Sequence, residues 1–169
     1  MTDLVEAIVP YLVALGKLVL AGACGAAVGW EREAHEKAAG LRTHVLLAIG
    51  ACLYALTAVG LRADYPATDI MRVIQGALMG TGFICAGVIF REGRNVRGLT
   101  TAAGLWIMGA TGVAVGLGHY YLAVVTTVLT VIAMTVLKRG ETKIRSRIRH
   151  GEPAAGGTED PSTQEDRRE

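Results

Sequence analysis

Three short polar segments hold the side chains of this sequence that could do chemistry. They adjoin long apolar stretches and consist of Glu31-Arg32, Arg42-Thr43-His44, and Arg97 with Thr100-Thr101. Grouped together, such side chains could sense charge or bind the loop of a partner protein. No GxSxG, HExxH or Walker sequence occurs, and the four histidines lack metal-ligand spacing. We therefore expect no enzyme activity, no cofactor and no metal site.

The elements that must position these segments are five apolar windows. They are residues 11–30, 45–61, 73–90, 99–117 and 120–137, and each is 17 to 20 residues long. About 20 helical residues cross a hydrocarbon core about 30 Å thick. The only charge in the windows is Lys17, whose ammonium we expect to extend outward to the membrane surface. The sequence therefore predicts an all-α polytopic bundle of five transmembrane helices.

The composition argues against other classes of protein. Hydrophobic residues make up 51% of the 169 residues, and the mean hydropathy is +0.40. Buried strands of a soluble sheet are also apolar, but they are shorter, about 4–8 residues. The net charge of +2, without interleaved basic and aromatic residues, argues against nucleic-acid binding. The three cysteines form no CxxC pair, so we expect them to be small buried side chains.

The distribution of Lys and Arg predicts the orientation, because these residues concentrate in cytoplasmic loops. They are frequent in 31–44, in 91–98 and after residue 137, and scarcer in 62–72 and 118–119. We expect a multi-pass protein of the cell inner membrane with its N-terminus outside and its C-terminus in the cytoplasm. This orientation would gather the three polar segments at the cytoplasmic rim.

The region after the last window has two parts. Residues 138–150 are a basic juxtamembrane segment, which is either an amphipathic helix attracted to anionic headgroups or a cluster of charges that stops translocation. Residues 151–169 are rich in Gly, Pro, Ser, Thr and acids, a composition that predicts a disordered cytoplasmic tail.

Glycines at four-residue spacing predict close helix packing, because small residues let membrane helices approach closely. The residues concerned are Gly25, Gly29, Gly76, Gly80, Gly82, Gly87, Gly112 and Gly116. We predict that the first, third and fourth helices form one core, with the second and fifth facing lipid. Gly80→Leu should then lower the yield of folded protein. Self-association of the chain, or a pathway lined by backbone carbonyls, is the alternative use of these glycines.

The polar segments allow two interpretations. Glu31 and Arg42 face each other across a short connection, and ionisable groups at membrane depth are usually paired and functional. Alternatively, the arginines anchor at headgroups and a threonine caps a helix. Both interpretations stay open for Glu31, Arg42 and Arg97, whereas we expect Arg32 to be a solvated anchor.

Four ordered motifs carry a resemblance to a known family. They are Gly29-Trp30-Glu31-Arg32, AGLRTH at 39–44, GTGFICAGVI at 80–89, and VRGLTTAA at 96–103 with Trp106. In this order they resemble the MgtC/SapB membrane-domain family over roughly residues 11–135. Trp30 stands where a Leu is common and Cys85 where a Gly is common. The MgtC branch carries an ACT-like domain after the membrane domain, whereas this sequence resembles the short SapB-type form.

The resemblance implies a role in growth at low Mg²⁺, in virulence or survival within macrophages for pathogens, and in restraint of the F-type ATP synthase. We expect a non-catalytic regulator that contacts another membrane protein in the bilayer. The alternative is a transporter or channel for Mg²⁺ or another ion. Mg²⁺ is usually held by one or two carboxylates with waters, yet no Asp or Glu lies inside any predicted span.

Overall fold

The computed structural model describes residues 2–67, 69–93 and 95–151, with side chains for 4–67, 69–93 and 95–136. In this part of the chain, five helices and one short hairpin follow one another. Their bounds are α1 Thr2–Glu33, α2 Leu41–Asp64, α3 Ile70–Gly87, β1 Phe90–Glu92, β2 Asn95–Arg97, α4 Leu99–Gly116 and α5 Tyr120–Gly151. The predicted all-α membrane fold is confirmed.

Within the described residues, four helices are long and apolar enough to cross a membrane. They are Leu4–Glu33, Leu41–Asp64, Ile70–Gly87 and Leu99–Gly116, and the shorter apolar segment Tyr120–Val136 follows them. The first helix begins well before residue 11, because Leu4–Pro10 continues α1 and Pro10 lies inside the helix. Proline is tolerated in membrane helices where neighbouring groups satisfy the freed backbone.

The third helix ends earlier than the apolar window 73–90 indicates. It stops at Gly87, and Phe90–Glu92 pairs antiparallel with Asn95–Arg97 in a hairpin that the sequence reading treated as a loop. Gly98 follows this hairpin as the N-cap of α4 and has φ +88, a left-handed conformation that favours glycine. A Cβ at Gly98 would also collide with the carbonyl oxygen of Val88, so glycine is required there twice over.

The second helix lies at the centre of the bundle, packed against α1, α3 and α4. The prediction that α2 faces lipid is therefore wrong. Its buried side chains are small and are Ala48, Ala51, Cys52, Ala55 and Ala58, besides His44. Because these side chains are short, the glycines of α1 and α4 reach the backbone of α2.

Close contacts fix the direction of the helices around α2. A Cβ on Gly25 of α1 would lie 2.6 Å from the carbonyl oxygen of His44, and one on Gly29 would lie 2.7 Å from Cα of Leu41. These pairs make α1 antiparallel to α2. A Cβ on Gly116 of α4 would lie 2.7 Å from the carbonyl oxygen of Cys52, and Gly112 meets the carbonyl of Ala48. α4 therefore runs parallel to α2, as expected for two membrane-spanning helices that are separated in the chain by one other spanning helix, α3.

The chain divides into two compact units, residues 1–135 and 136–169. The first holds the bundle, in which the described part of α5 buries one face made of Ala123, Thr127, Thr130 and Met134. In the second, the backbone of the basic segment 138–150 is helical. The tail predicted to be disordered lies, apart from Gly151, outside the described residues.

Candidate functional site

The end of α1 carries a buried ion pair. Glu31 is 9% exposed and Arg32 is 3% exposed, and the Arg32 guanidinium donates through Nε and Nη2 to Glu31 Oε2. Arg32 is therefore not the solvated anchor that we expected. Removing one partner of a buried pair costs about 3–5 kcal/mol, because the other charge is left without compensation.

His35 completes the surroundings of the Glu31 carboxylate. Its Nδ1 donates to the backbone oxygen of Glu31 at 2.7 Å and lies 3.2 Å from Oε1. Because the Nδ1 proton of His35 is directed to the nearer backbone oxygen, Oε1 of Glu31 is buried without a hydrogen bond from any described residue. The carboxylate is held by the guanidinium of Arg32 on one oxygen and has a free acceptor on the other.

His44 is fully buried at the start of α2. Its Nδ1 lies 2.8 Å from the carbonyl oxygen of Gly40, and a carbonyl only accepts, so Nδ1 carries the proton. Nε2 is then an acceptor, with no partner among the described residues. The Nε2 atom of His44 would lie 3.6 Å from a Cβ on Gly104, so it faces α4. Met134 of α5 also lies next to Gly104.

The beginning of α2 is held by an acid of α1. Glu33 Oε2 accepts from the backbone N–H of Leu41 at 2.8 Å, which satisfies one of the free donors at the helix start. A Cβ on Gly40 would collide with the Glu33 carboxylate, so this contact needs a glycine. The sequence reading missed Glu33, because its eight-residue separation from Leu41 matches no capping pattern.

The predicted cytoplasmic-rim cluster separates into buried and exposed members. The buried members are Glu31, Arg32, His44 and Thr101, and the exposed or half-exposed members are Arg42, Thr43, Arg97 and Thr100. Glu31 is paired with Arg32 rather than facing Arg42, and Arg97 pairs within the hairpin with Glu92 at 3.0 Å. The rim is therefore a buried ion pair and histidine beside separate exposed arginines.

Arg42 and Thr43 belong instead to an apolar groove between α2 and α3. We call it the α2–α3 groove; its volume is about 770 Å³. Arg42 lies at one end, Arg72 at the other, and Gly50, Gly76 and Gly80 line it between them. These residues are distant in sequence, and the packing of α3 against both α2 and α4 brings them together.

The predicted packing glycines fall into two groups. Gly25, Gly29, Gly112 and Gly116 lie at close approaches to α2, whereas a Cβ on Gly76, Gly80, Gly82 or Gly87 meets nothing within 4 Å among the described residues. The packing prediction for the α3 glycines is therefore not met within the described part of the chain, which removes the contact on which the lowered yield predicted for Gly80→Leu was based.

Lys17 contacts the end of α4. Its ammonium donates to the carbonyl oxygen of Gly116 at 3.0 Å, and the side chain is half-buried. Gly116 is the last residue of α4, where carbonyls lack helical partners and the helix dipole favours a cation. Gly116 lies two residues before the turn at Gly118-His119, so this contact is compatible with the prediction that Lys17 extends towards the membrane surface and adds a carbonyl partner that the prediction did not include.

Similarity to known proteins adds to the geometry. The model of the MgtC family matches residues 18–143. "Protein MgtC" of Salmonella typhimurium strain LT2 is 38% identical over 135 residues, covering 80% of this chain and 55% of that protein. "Protein MgtC" of Brucella abortus is 43% identical over 122 residues, covering 71% of this chain and 50% of that protein.

A third relative bears a different name. "Putative magnesium transporter YhiD" of Escherichia coli K12 is 40% identical over 126 residues, which cover 71% of this chain and 58% of that protein. The chain thus spans about half the length of the curated relatives it matches. No solved structure matches it.

Proposed function

The chain belongs to the MgtC family, and we propose on that premise that it is a non-catalytic regulator in adaptation to low Mg²⁺. It acts in the cell inner membrane through helix-to-helix contact with another membrane protein, for which the F-type ATP synthase is our candidate. In a pathogen the same activity would serve survival within macrophages.

The observation that carries this proposal is the uncovered side of α3. The α2–α3 groove is open along both helices, and the described part of the chain places nothing against its glycines Gly76 and Gly80. Glycine weakens a helix by about 1 kcal/mol relative to alanine unless it permits a close approach. Small residues are what membrane helices use where their backbones meet. The groove thus supports docking of a helix from another protein.

The charges of the bundle support a regulator over a carrier of Mg²⁺. The Glu31 carboxylate is bound by a guanidinium, and the Lys17 ammonium is bound to the last carbonyl of α4. Mg²⁺ is usually held by free carboxylates and waters, and a neighbouring cation repels it. Among the described residues no group of three or more His, Cys, Asp or Glu could hold a metal.

The direct test reconstitutes the full chain with the F-type ATP synthase in vesicles and measures ATP-driven proton pumping. The chain should slow pumping, and Gly80→Leu should remove this effect because the new side chain fills the α2–α3 groove. Gly82→Leu is the matched control: Gly82 lies on the same helix, is equally open, and does not line the groove. Unchanged pumping, or equal loss in both variants, would contradict the proposal.

Transport of Mg²⁺ is the second candidate, favoured by the name of the Escherichia coli relative. It predicts Mg²⁺ flux through vesicles that hold the purified chain alone, beside a known Mg²⁺ channel as positive control. Flux above that of empty vesicles would establish transport. An active control with no flux through the chain would leave the regulator as the better account.

A further inference from the structure

The α2–α3 groove runs continuously along the bundle and has an arginine at each end. On α2 it runs from Arg42 to Tyr54, and on the antiparallel α3 from Arg72 to Ile84. Between the ends its walls are mostly apolar, and the hydroxyl of Thr81 is satisfied by the carbonyl of Ala77 at 3.0 Å. An occupant therefore meets an apolar middle and two cationic ends.

The levels of the two arginines follow from the packing of α3. Ile74 lies in one cluster with Ala51 and Ala55, which puts Arg72 near the level of Ala55. Arg42 is then about 13 residues away along α2, or about 20 Å at the helical rise of 1.5 Å. A hydrocarbon core is about 30 Å thick. Both arginines therefore attach to the helices within or at the edge of the apolar layer.

Neither arginine has a partner in the part of the chain that the structure describes. The described ion pairs involve Arg32, His35 and Arg97, and no described hydrogen bond uses the guanidinium of Arg42 or Arg72. Charged side chains at membrane depth are usually paired. An anionic group at each end of the groove would supply the missing partners.

A single occupant that meets both arginines must span the groove. A lipid of one leaflet brings its phosphate to one end only, whereas a membrane-spanning helix reaches both. Residues about 14 apart on a helix are about 21 Å apart and lie within about 40° of the same face. This spacing matches the separation of Arg42 and Arg72.

We propose that the α2–α3 groove binds a partner's membrane-spanning helix that carries acidic residues about 14 positions apart, pairing with Arg42 and Arg72. The proposal rests on the proposed function and specifies which helix the site accepts. The pairs fix the depth and direction of the partner, while the apolar middle supplies the contact area. Any protein with such a helix is a candidate partner, and one without it is not.

The test uses the full chain in phosphatidylcholine vesicles and a labelled, designed spanning peptide of Leu and Ala with two Glu about 14 positions apart. A twin peptide carries Gln at both positions. We expect the Glu peptide to bind at least about tenfold more tightly, measured by energy transfer to the labelled chain. Arg42→Gln and Arg72→Gln should each remove most of this difference, whereas Arg62→Gln, an exposed arginine of α2 outside the groove, should not.

Charge reversal sharpens the result. A chain with Arg42→Glu and Arg72→Glu should prefer a peptide with Lys at the two positions, which a general loss of folding could not produce. Equal binding of the Glu and Gln peptides, both abolished by Gly80→Leu, would overturn the charge proposal while leaving helix docking intact. Absence of binding by either peptide, or full displacement by phosphatidylglycerol, would overturn the groove as a helix site. None of these measurements involves the ATP synthase, so failure of this proposal can be distinguished from failure of the proposed function, which the proton-pumping experiment tests.

Discussion

Two regions of the molecule use the same small-residue spacing in opposite ways. On α1 and α4, glycines such as Gly25 and Gly112 lie against backbone atoms of α2. On α3, Gly76 and Gly80 repeat the four-residue step yet face open space within the described chain. The packed side is closed by atoms of its own chain, whereas the open side is a surface for something else.

Basic residues divide along the same line. On the packed side Arg32 is paired with Glu31, and Lys17 binds the last carbonyl of α4. On the open side Arg42 and Arg72 lie at the ends of the α2–α3 groove. The comparison shows that the neighbouring helix determines whether a glycine pattern or an arginine serves packing within the chain or lies on an open surface.

The largest effect should come from enlarging a glycine on the packed side. Gly112→Leu drives a side chain into the carbonyl of Ala48 and the methyl of Ala51, and backbone cannot move aside as a side chain can. Overpacking usually costs about 1–3 kcal/mol, and a backbone collision should exceed this range. We expect almost no folded chain after detergent extraction, measured by size-exclusion chromatography. A normal yield would break the distinction between the two sides.

The next effect tests the buried ion pair. Arg32→Ala leaves the Glu31 carboxylate buried without its cation and should destabilise the chain by about 3 kcal/mol. Thermal unfolding in detergent, followed by circular dichroism, measures the loss. Adding Glu31→Gln should restore part of it by removing the uncompensated charge. No recovery in the double variant would mean that Arg32 contributes through packing alone.

A smaller effect belongs to the lysine that contacts the end of α4. Lys17→Met keeps the length of the side chain and removes its hydrogen bond to the carbonyl of Gly116, which should cost about 1.5 kcal/mol. The unfolding midpoint should fall accordingly, while Lys37→Met, on an exposed loop residue, should leave it unchanged. Equal midpoints for both variants would mean that the hydrogen bond from Lys17 to Gly116 contributes nothing to stability.

Much of the fold follows from the sequence because span length and hydropathy are local properties. The windows 45–61 and 99–117 lie closely on α2 and α4. The hairpin was not predicted because little distinguishes it from a loop except Gly93 in its turn and Gly98 directly after it, both with positive φ.

The arrangement of the helices needed information that a single segment does not hold. The alanines of α2, from Ala48 to Ala58, form its small-residue faces, and the glycine pattern alone does not indicate them. The candidate site was partly foreseen: Glu31 and His44 lie at the same rim, but their partners depend on tertiary packing. The groove joins Arg42 to Arg72, which are distant in sequence, so no local pattern could indicate it.

The smallest effect should come from Gly80→Leu on the open side. A Cβ at Gly80 meets nothing within 4 Å in the described chain, and leucine is the better helix former by nearly 1 kcal/mol. We expect an unfolding midpoint in detergent that is unchanged or slightly raised, in contrast to the collapse expected for Gly112→Leu. If Gly80→Leu lowered the midpoint as strongly, the groove would be closed in solution, most directly by a second copy of the chain. Sedimentation of the unaltered chain in the same detergent shows whether it is a monomer or self-associated. If it is a monomer and Gly80→Leu leaves the midpoint unchanged, the α2–α3 groove is free for a partner.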